Sequence, residues 1–223
     1  MAASRQQLKS EASVGRTLEA ALELFSSHGF GATSMRQIAD AAGLSVGNVY
    51  HHFPSKEAIF QRLLEQYWQE VLDPELPLNR VFAEARFPED LEAMAAAIEQ
   101  VVERFRPYIL LIYVDVIEFR GEHIRSFYEG MADRFREAYA PRLRERQRAG
   151  ELGTDADPVV AAMTATRWFF YFFTVEKCFG VPMHFGMSPE QAVAEFIRLL
   201  RYGLLPRDGD PHHDPPPTIH RET

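Results

Sequence analysis

The chain has 223 residues, 46% of them hydrophobic, and a formal net charge of −8. A chain of this length buries a sizeable core, either as one domain or as a small head on a larger body. The acidic balance argues against a grip on nucleic acid by the molecule as a whole, but the charge is unevenly spread. Residues 1–60 carry five basic groups (Arg5, Lys9, Arg16, Arg36, Lys56) and five acidic ones (Glu11, Glu19, Glu23, Asp40, Glu57), so the acidity belongs to the remainder. The single cysteine, Cys178, excludes an intrachain disulfide framework and reads as a small buried apolar group in a reducing cytoplasm. The N-terminus has no signal-peptide core, and the apolar runs 108–114 and 168–173 fall short of the about 20 residues that span a membrane. A soluble, cytoplasmic protein without membrane contact is expected.

Val14, Leu18, Ala21, Leu22 and Phe25 recur at helical offsets and form one apolar stripe. Phe30 follows Gly29 and is expected to close a small core from the end. Ser34-Met35-Arg36-Gln37 matches a capping box, after which Ile38, Ala39 and Ala42 face inward. Gly43 suits a left-handed helix end, and Ser45 restarts a helix whose Val49 and Phe53 point inward. That is helix-turn-helix geometry, in which the second helix offers its N-terminal residues to the major groove of DNA. Ser55 follows Pro54 and opens a fourth helix that continues through Trp68 and Val71.

These residues resemble the N-terminal DNA-binding domain of the TetR (tetracycline repressor) family of bacterial transcription regulators. The resemblance rests on Ala20-Ala21-Leu22-Glu23-Leu24-Phe25, Gly29-Phe30, Thr33-Ser34, Ile38-Ala39, Ala42-Gly43-Leu44, Gly47, Val49-Tyr50 and Phe53-Pro54-Ser55-Lys56-Glu57. Thr17 departs from the aliphatic residue more usual in the family. The resemblance implies that Thr33, Ser34 and Arg36 approach DNA from the second helix, and that Ser45, Val46, Gly47 and Asn48 form the exposed start of the recognition helix. Gly47 lets the backbone come close, Val46 touches a thymine methyl, and Tyr50, His51 and Lys56 contact phosphates. His52 is expected to pack on the head instead.

Beyond the head, proline and glycine divide the chain into helices. Pro74 and Pro77 break it, Pro88 opens a helix through Arg104, and Pro107 starts the segment 108–119, which Gly121 ends. A long amphipathic stretch runs over 123–149 with a kink at Pro141. Asp157-Pro158 and Ser188-Pro189 open two last helices, near 158–180 and 189–204. The expected fold is all-α: a helix-turn-helix head over 1–54, a helical effector-binding and dimerisation body over 55–205, and a tail over 206–223, with about nine helices in all. The tail has five prolines and three histidines (His212, His213, His220) and is read as disordered, with no metal site.

The run Trp168-Phe169-Phe170-Tyr171-Phe172-Phe173 leaves its helix without a polar face, so both sides require cover. Phe173, Val193, Phe196, Ile197, Leu200 and Leu204 are the candidate interface residues of a homodimer, and the resemblance implies a four-helix bundle between subunits. A neutral head also needs a second head beside it, which predicts a palindromic operator in double-stranded DNA.

No phosphate loop, metal motif or nucleophile elbow is present, so neither catalytic residues nor cofactors are expected. The resemblance implies an effector pocket in the body. Trp68, Phe105, Tyr108, Tyr113, Phe127, Trp168, Phe169 and Phe172 are its candidate walls, for a small hydrophobic or aromatic effector. Asp115 is a candidate polar anchor; with Glu118, three residues on, it reads as a solvent-facing edge, a pocket anchor or, least favoured, an acid–base pair. A ligand-responsive repressor is thus weighed against an all-helical carrier or enzyme with a vestigial helix-turn-helix. Tyr50, His51 and Lys56, expected to be exposed, have no task in a carrier.

Overall fold

The computed structural model describes residues 5–84, 86–152 and 156–203. Within them the chain folds into eleven α-helices and one π-helical turn, with no strand among the described residues. In α1 (Arg5–His28) Leu18, Ala21 and Phe25 are buried, with Val14 and Leu22 packed beside them. Thr17 shares that face and is fully buried. It fits because its hydroxyl donates to the Ser13 carbonyl at 2.9 Å, which leaves no polar atom unsatisfied.

Three serines set the starts of the next three helices. Before α2 (Met35–Ala42), Ser34 Oγ accepts from the Gln37 N–H at 3.2 Å while Gln37 Oε1 accepts from the Ser34 N–H at 2.8 Å. Ser45 Oγ accepts from the Asn48 N–H at 3.2 Å to cap α3 (Val46–His52), and Ser55 Oγ does the same for Ala58 at 3.1 Å to cap α4 (Lys56–Val71). Between α2 and α3, Gly43 adopts φ +63°, so the turn is made by a residue free of a Cβ penalty. Phe25, Ile38, Ala39 and Val49 are all fully buried and make one core of the head helices.

The body comprises α5 (Pro77–Glu84), α6 (Leu91–Arg104), α7 (Arg106–Glu118), α8 (Arg125–Glu129), α9 (Met131–Arg148), α10 (Pro158–Phe173) and α11 (Pro189–Tyr202). Helix α10 lies at its centre, packed on α6 and α9, and buries Val159, Ala162, Ala165, Phe169, Phe172 and Phe173. The expected inward set of α6 (Leu91, Met94, Ala95, Ile98, Val101, Val102) is buried without exception.

Boundaries differ from the sequence reading where local signals were ambiguous. Pro77 is the first residue of α5 rather than a mere break, and Gly130 divides 123–149 into α8 and α9. Helix α9 passes through Pro141. Pro88 precedes α6, whose N-cap position is held by Asp90, and the Phe87–Pro88 peptide bond is cis. The helix expected over 158–180 stops being α-helical at Phe173 and continues as a π-helical turn, Thr174–Cys178. That turn is tied to α6 by Lys177, whose ammonium lies 2.8 Å from Glu99 and 2.7 Å from Glu103.

Phe169 has no exposed surface and its ring meets those of Trp168 and Phe196. Phe169→Ala is expected to lower the unfolding free energy by about 3–5 kcal/mol, read as a lower urea midpoint at unchanged slope.

Candidate nucleic-acid interface and effector region

The outer surface of α2 and α3 carries Ser34, Arg36, Ser45, Gly47, Tyr50 and His51, all exposed, with Tyr50 52% accessible. A Cβ added at Gly47 would meet nothing within 4 Å, so its backbone is open to an incoming surface. Val46 and Asn48 are half-buried, and Asn48 Oδ1 is shielded without a hydrogen-bond partner. His52 is half-buried with its ring 5.0 Å from that of His51.

Two of the expected DNA contacts are engaged inside the head. Thr33 is 3% exposed and its hydroxyl donates to the Gly29 carbonyl at 2.9 Å. Lys56 points inward: its ammonium donates to the Phe30 carbonyl at 2.6 Å and the Thr33 carbonyl at 2.7 Å, 4.1 Å above the Phe30 ring. The first turn of α4 brings the ammonium over the 30–33 loop, whose carbonyls no helix satisfies. Lys56 therefore has the structural task that the sequence reading denied it.

The body reaches the head through the end of α7. Glu118 accepts from the Phe30 N–H at 2.9 Å and the Gly31 N–H at 2.7 Å. Phe119 lies 4.6 Å from the Phe30 ring and 5.1 Å from that of Phe60, which also meets Phe25. Asp115, fully buried, accepts from His123 Nδ1 at 2.5 Å, while His123 Nε2 lies 3.5 Å from Glu57 at the start of α4. A carboxylate has no proton to give, so the imidazole is the donor to Asp115. Asp115 is thus not a solvent edge, its Oδ2 being buried without a hydrogen-bond partner, and Glu118 is exposed but gripping the head.

The remaining candidate ligand residues separate into two clusters. In one, Trp68 stacks on Phe127 at 3.7 Å and Tyr67 links Trp68, Phe105 and Tyr108 through ring contacts of 4.6, 5.5 and 5.6 Å. Tyr113 contacts Phe179 instead. In the other, Trp168 stacks on Phe196 at 3.8 Å and on Phe172 at 5.0 Å, with Phe169 alongside. Phe105, Phe169 and Phe172 are at most 2% exposed and belong to the core; Trp68, Tyr108, Tyr113, Phe127 and Trp168 are half-buried. Burial pushes the Tyr67 hydroxyl well above the usual phenol range and raises the Cys178 thiol, which keeps that thiol protonated and inert.

Of the candidate interface residues, Phe173 and Ile197 are 3% and 5% exposed within the subunit, while Val193, Phe196 and Leu200 are half-buried. Leu204, like the tail histidines, lies outside the described residues. Phe173, Val193 and Ile197 line a groove of about 420 Å³ between α6 and α11. Among the described residues no cluster of acidic, histidine or cysteine side chains is placed to hold a metal, and no described helix is long and apolar enough to cross a membrane.

Residues 18–63 match the family model described as bacterial regulatory proteins, tetR family. The chain is 29% identical over 200 residues to the HTH-type transcriptional regulator UidR of Escherichia coli K12, covering 85% of this chain and 91% of that one. It is 27% identical over 211 residues to the HTH-type transcriptional repressor KstR2 of Mycolicibacterium smegmatis, with 87% and 92% covered. The fold matches that of AibR, solved in complex with isovaleryl coenzyme A and operator DNA, at a TM-score of 0.57 and 21% identity over 84% of this chain and 97% of that one. The match places residues 18–63 in the tetR family, and the chain is a DNA-binding transcriptional regulator.

Since Lys56 closes the 30–33 loop with two charge-assisted hydrogen bonds, Lys56→Met is expected to cost about 1.5–3 kcal/mol. The check is the urea midpoint of the variant in the absence of DNA.

Proposed function

We propose that the protein is a cytoplasmic, non-catalytic repressor that binds a palindromic operator as a homodimer and leaves it when a small apolar or aromatic effector enters the body. Residues 1–54 serve as the DNA-binding part and 55–205 as the effector-binding and dimerisation part. The observation that carries this reading is the pair of short, serine-capped helices displaying Arg36, Ser45, Gly47, Tyr50 and His51 on one outer surface of a head whose own charge is balanced. A neutral head has few phosphate contacts to offer, so two heads must act together. Repressor action is supported by the similarity to KstR2.

For the effector, the half-buried set Trp68, Tyr108, Tyr113 and Phe127, between α4, α7 and α8, is favoured over the buried rings of α10. For the dimer, the accessible apolar groups on α10 and α11 are Val160, Tyr171, Leu199 and Tyr202, with exposures of 41% to 61%. They lie on the two helices to which the sequence reading assigned pairing. Apolar groups left this accessible on adjoining helices are the mark of an association surface.

Arg36→Ala is expected to weaken binding to operator and random DNA alike and to flatten the salt dependence by about one unit, while Tyr50→Phe weakens binding with the slope retained. Titrations at several salt concentrations decide this, and unchanged affinity in both variants would remove these residues from the interface. Tyr171→Glu and Leu199→Glu should give folded monomers that bind the full operator no more tightly than an isolated half-site. Sedimentation showing the wild type to be monomeric at micromolar concentration would overturn the dimer. Ile197→Glu, by contrast, should unfold the subunit, because that side chain is already interior.

A further inference from the structure

The loop Gly29-Phe30-Gly31 links α1 to α2, and two of its consecutive N–H groups converge on one carboxylate from a residue 87 and 88 positions away. Successive backbone N–H groups directed at one anion form a concave cradle, normally filled by a phosphate or another external anion. Here the occupant is Glu118. The glycines make the room: a Cβ at Gly29 would lie 3.1 Å from Glu118 Oε1, and one at Gly31 would lie 3.1 Å from Oε2. Gly29 also takes φ +87°, a conformation that side chains resist.

The carboxylate is one of three separate fastenings from the same short stretch of chain. Phe119, the next residue, packs its ring against both Phe30 and Phe60. His123, hydrogen-bonded to Asp115 on α7, packs its ring on Phe60 of α4 at 5.7 Å between centroids. A single contact leaves a rigid head free to pivot, and each further one removes a direction of rotation. Being solvent-exposed, the Glu118 contact adds little net stability, since water solvates the carboxylate nearly as well once it is released. Its geometry is what it contributes.

We propose that Glu118 is a positioning residue for DNA recognition: by occupying the Phe30–Gly31 cradle it holds the head at a fixed angle to the body, and so sets the spacing between the two recognition helices of the dimer. This rests on the DNA-binding reading above. One added base pair turns a half-site by roughly 35°, from about 10–10.5 base pairs per helical turn, so a head held at a fixed angle must discriminate between spacings.

The test starts from duplexes enriched from a random-sequence library by the wild-type protein, and from derivatives with one base pair inserted or removed at the centre. The wild type should prefer the selected spacing by about tenfold or more, the scale of a mismatched site. Glu118→Ala, Glu118→Gln and, from the opposite side, Gly31→Ala should each reduce that preference to within about twofold, with half-site affinity and thermal midpoint unchanged. Glu118→Ala combined with Gly31→Ala should do no more than either alone, because both empty the same cradle. Variants that keep the wild-type spacing preference would overturn the assignment. Loss of half-site affinity in step with spacing preference would also overturn it, by making Glu118 a plain stabiliser of the head. If the wild type enriches no sequence at all, the DNA-binding reading falls first and this inference with it.

Discussion

Three helices, two of them of only eight and seven residues, enclose little volume, and a ring at the rim of their core, such as Phe30, would have one face in water. In this protein the Phe119 ring covers that face, and Phe25, Phe30, Phe60 and Phe119 form one continuous aromatic stack from α1 to the end of α7. Edge-to-face rings of this kind hold each other in defined orientations as well as burying area. The head is therefore no independent unit tethered by α4. Its interior is completed by the body, and any movement of α7 is felt in the loop that leads into α2.

The same junction explains where buried charge is tolerated. Asp115 has no exposed surface, and a lone carboxylate there would be costly; the imidazole of His123 hydrogen-bonds one of its oxygens, while Oδ2 is left without a partner. Lys56 is treated likewise, its ammonium shared between two loop carbonyls and the face of Phe30. These polar contacts fall between elements rather than within them, so they constrain relative orientation. Within the body the corresponding role belongs to exposed pairs such as Arg201 with Glu92 and Lys177 with Glu99 and Glu103, which tie α11 and the π-helical turn to α6.

The aromatic content of the body serves two purposes that composition alone does not separate. Around α10, Phe169 and Phe172 are interior and meet the half-buried rings of Trp168 and Phe196. Around Trp68 and Tyr108 they stay half-accessible, beside helices α7 and α8 that follow one another through the turn after Glu118. A change in packing there lies on the helix whose other end holds the head, which gives a physical route from this aromatic cluster to the loop of the head.

Local chemistry made much of this legible in advance. Serine caps at 34, 45 and 55, the glycine at 43 and the apolar stripe of α1 specify the helix-turn-helix through interactions spanning four residues or fewer, and each is found where the pattern puts it. The body's helices follow from periodicity and proline punctuation, with errors where a proline starts a helix instead of ending one, as at Pro77. What the pattern left open were partners distant in sequence. Glu118 and Phe30 are 88 residues apart, and nothing local to either marks the other. Lys56 reads as a phosphate contact until the loop of Phe30 and Thr33 is folded beneath it, and Asp115 reads as an edge until His123 closes over it. The sequence determined which segments are helical and which faces are apolar, because both depend on near neighbours. Only the tertiary structure decided which charges turn inward and how the head is held, because those depend on where the body brings α7 against the loop of the head.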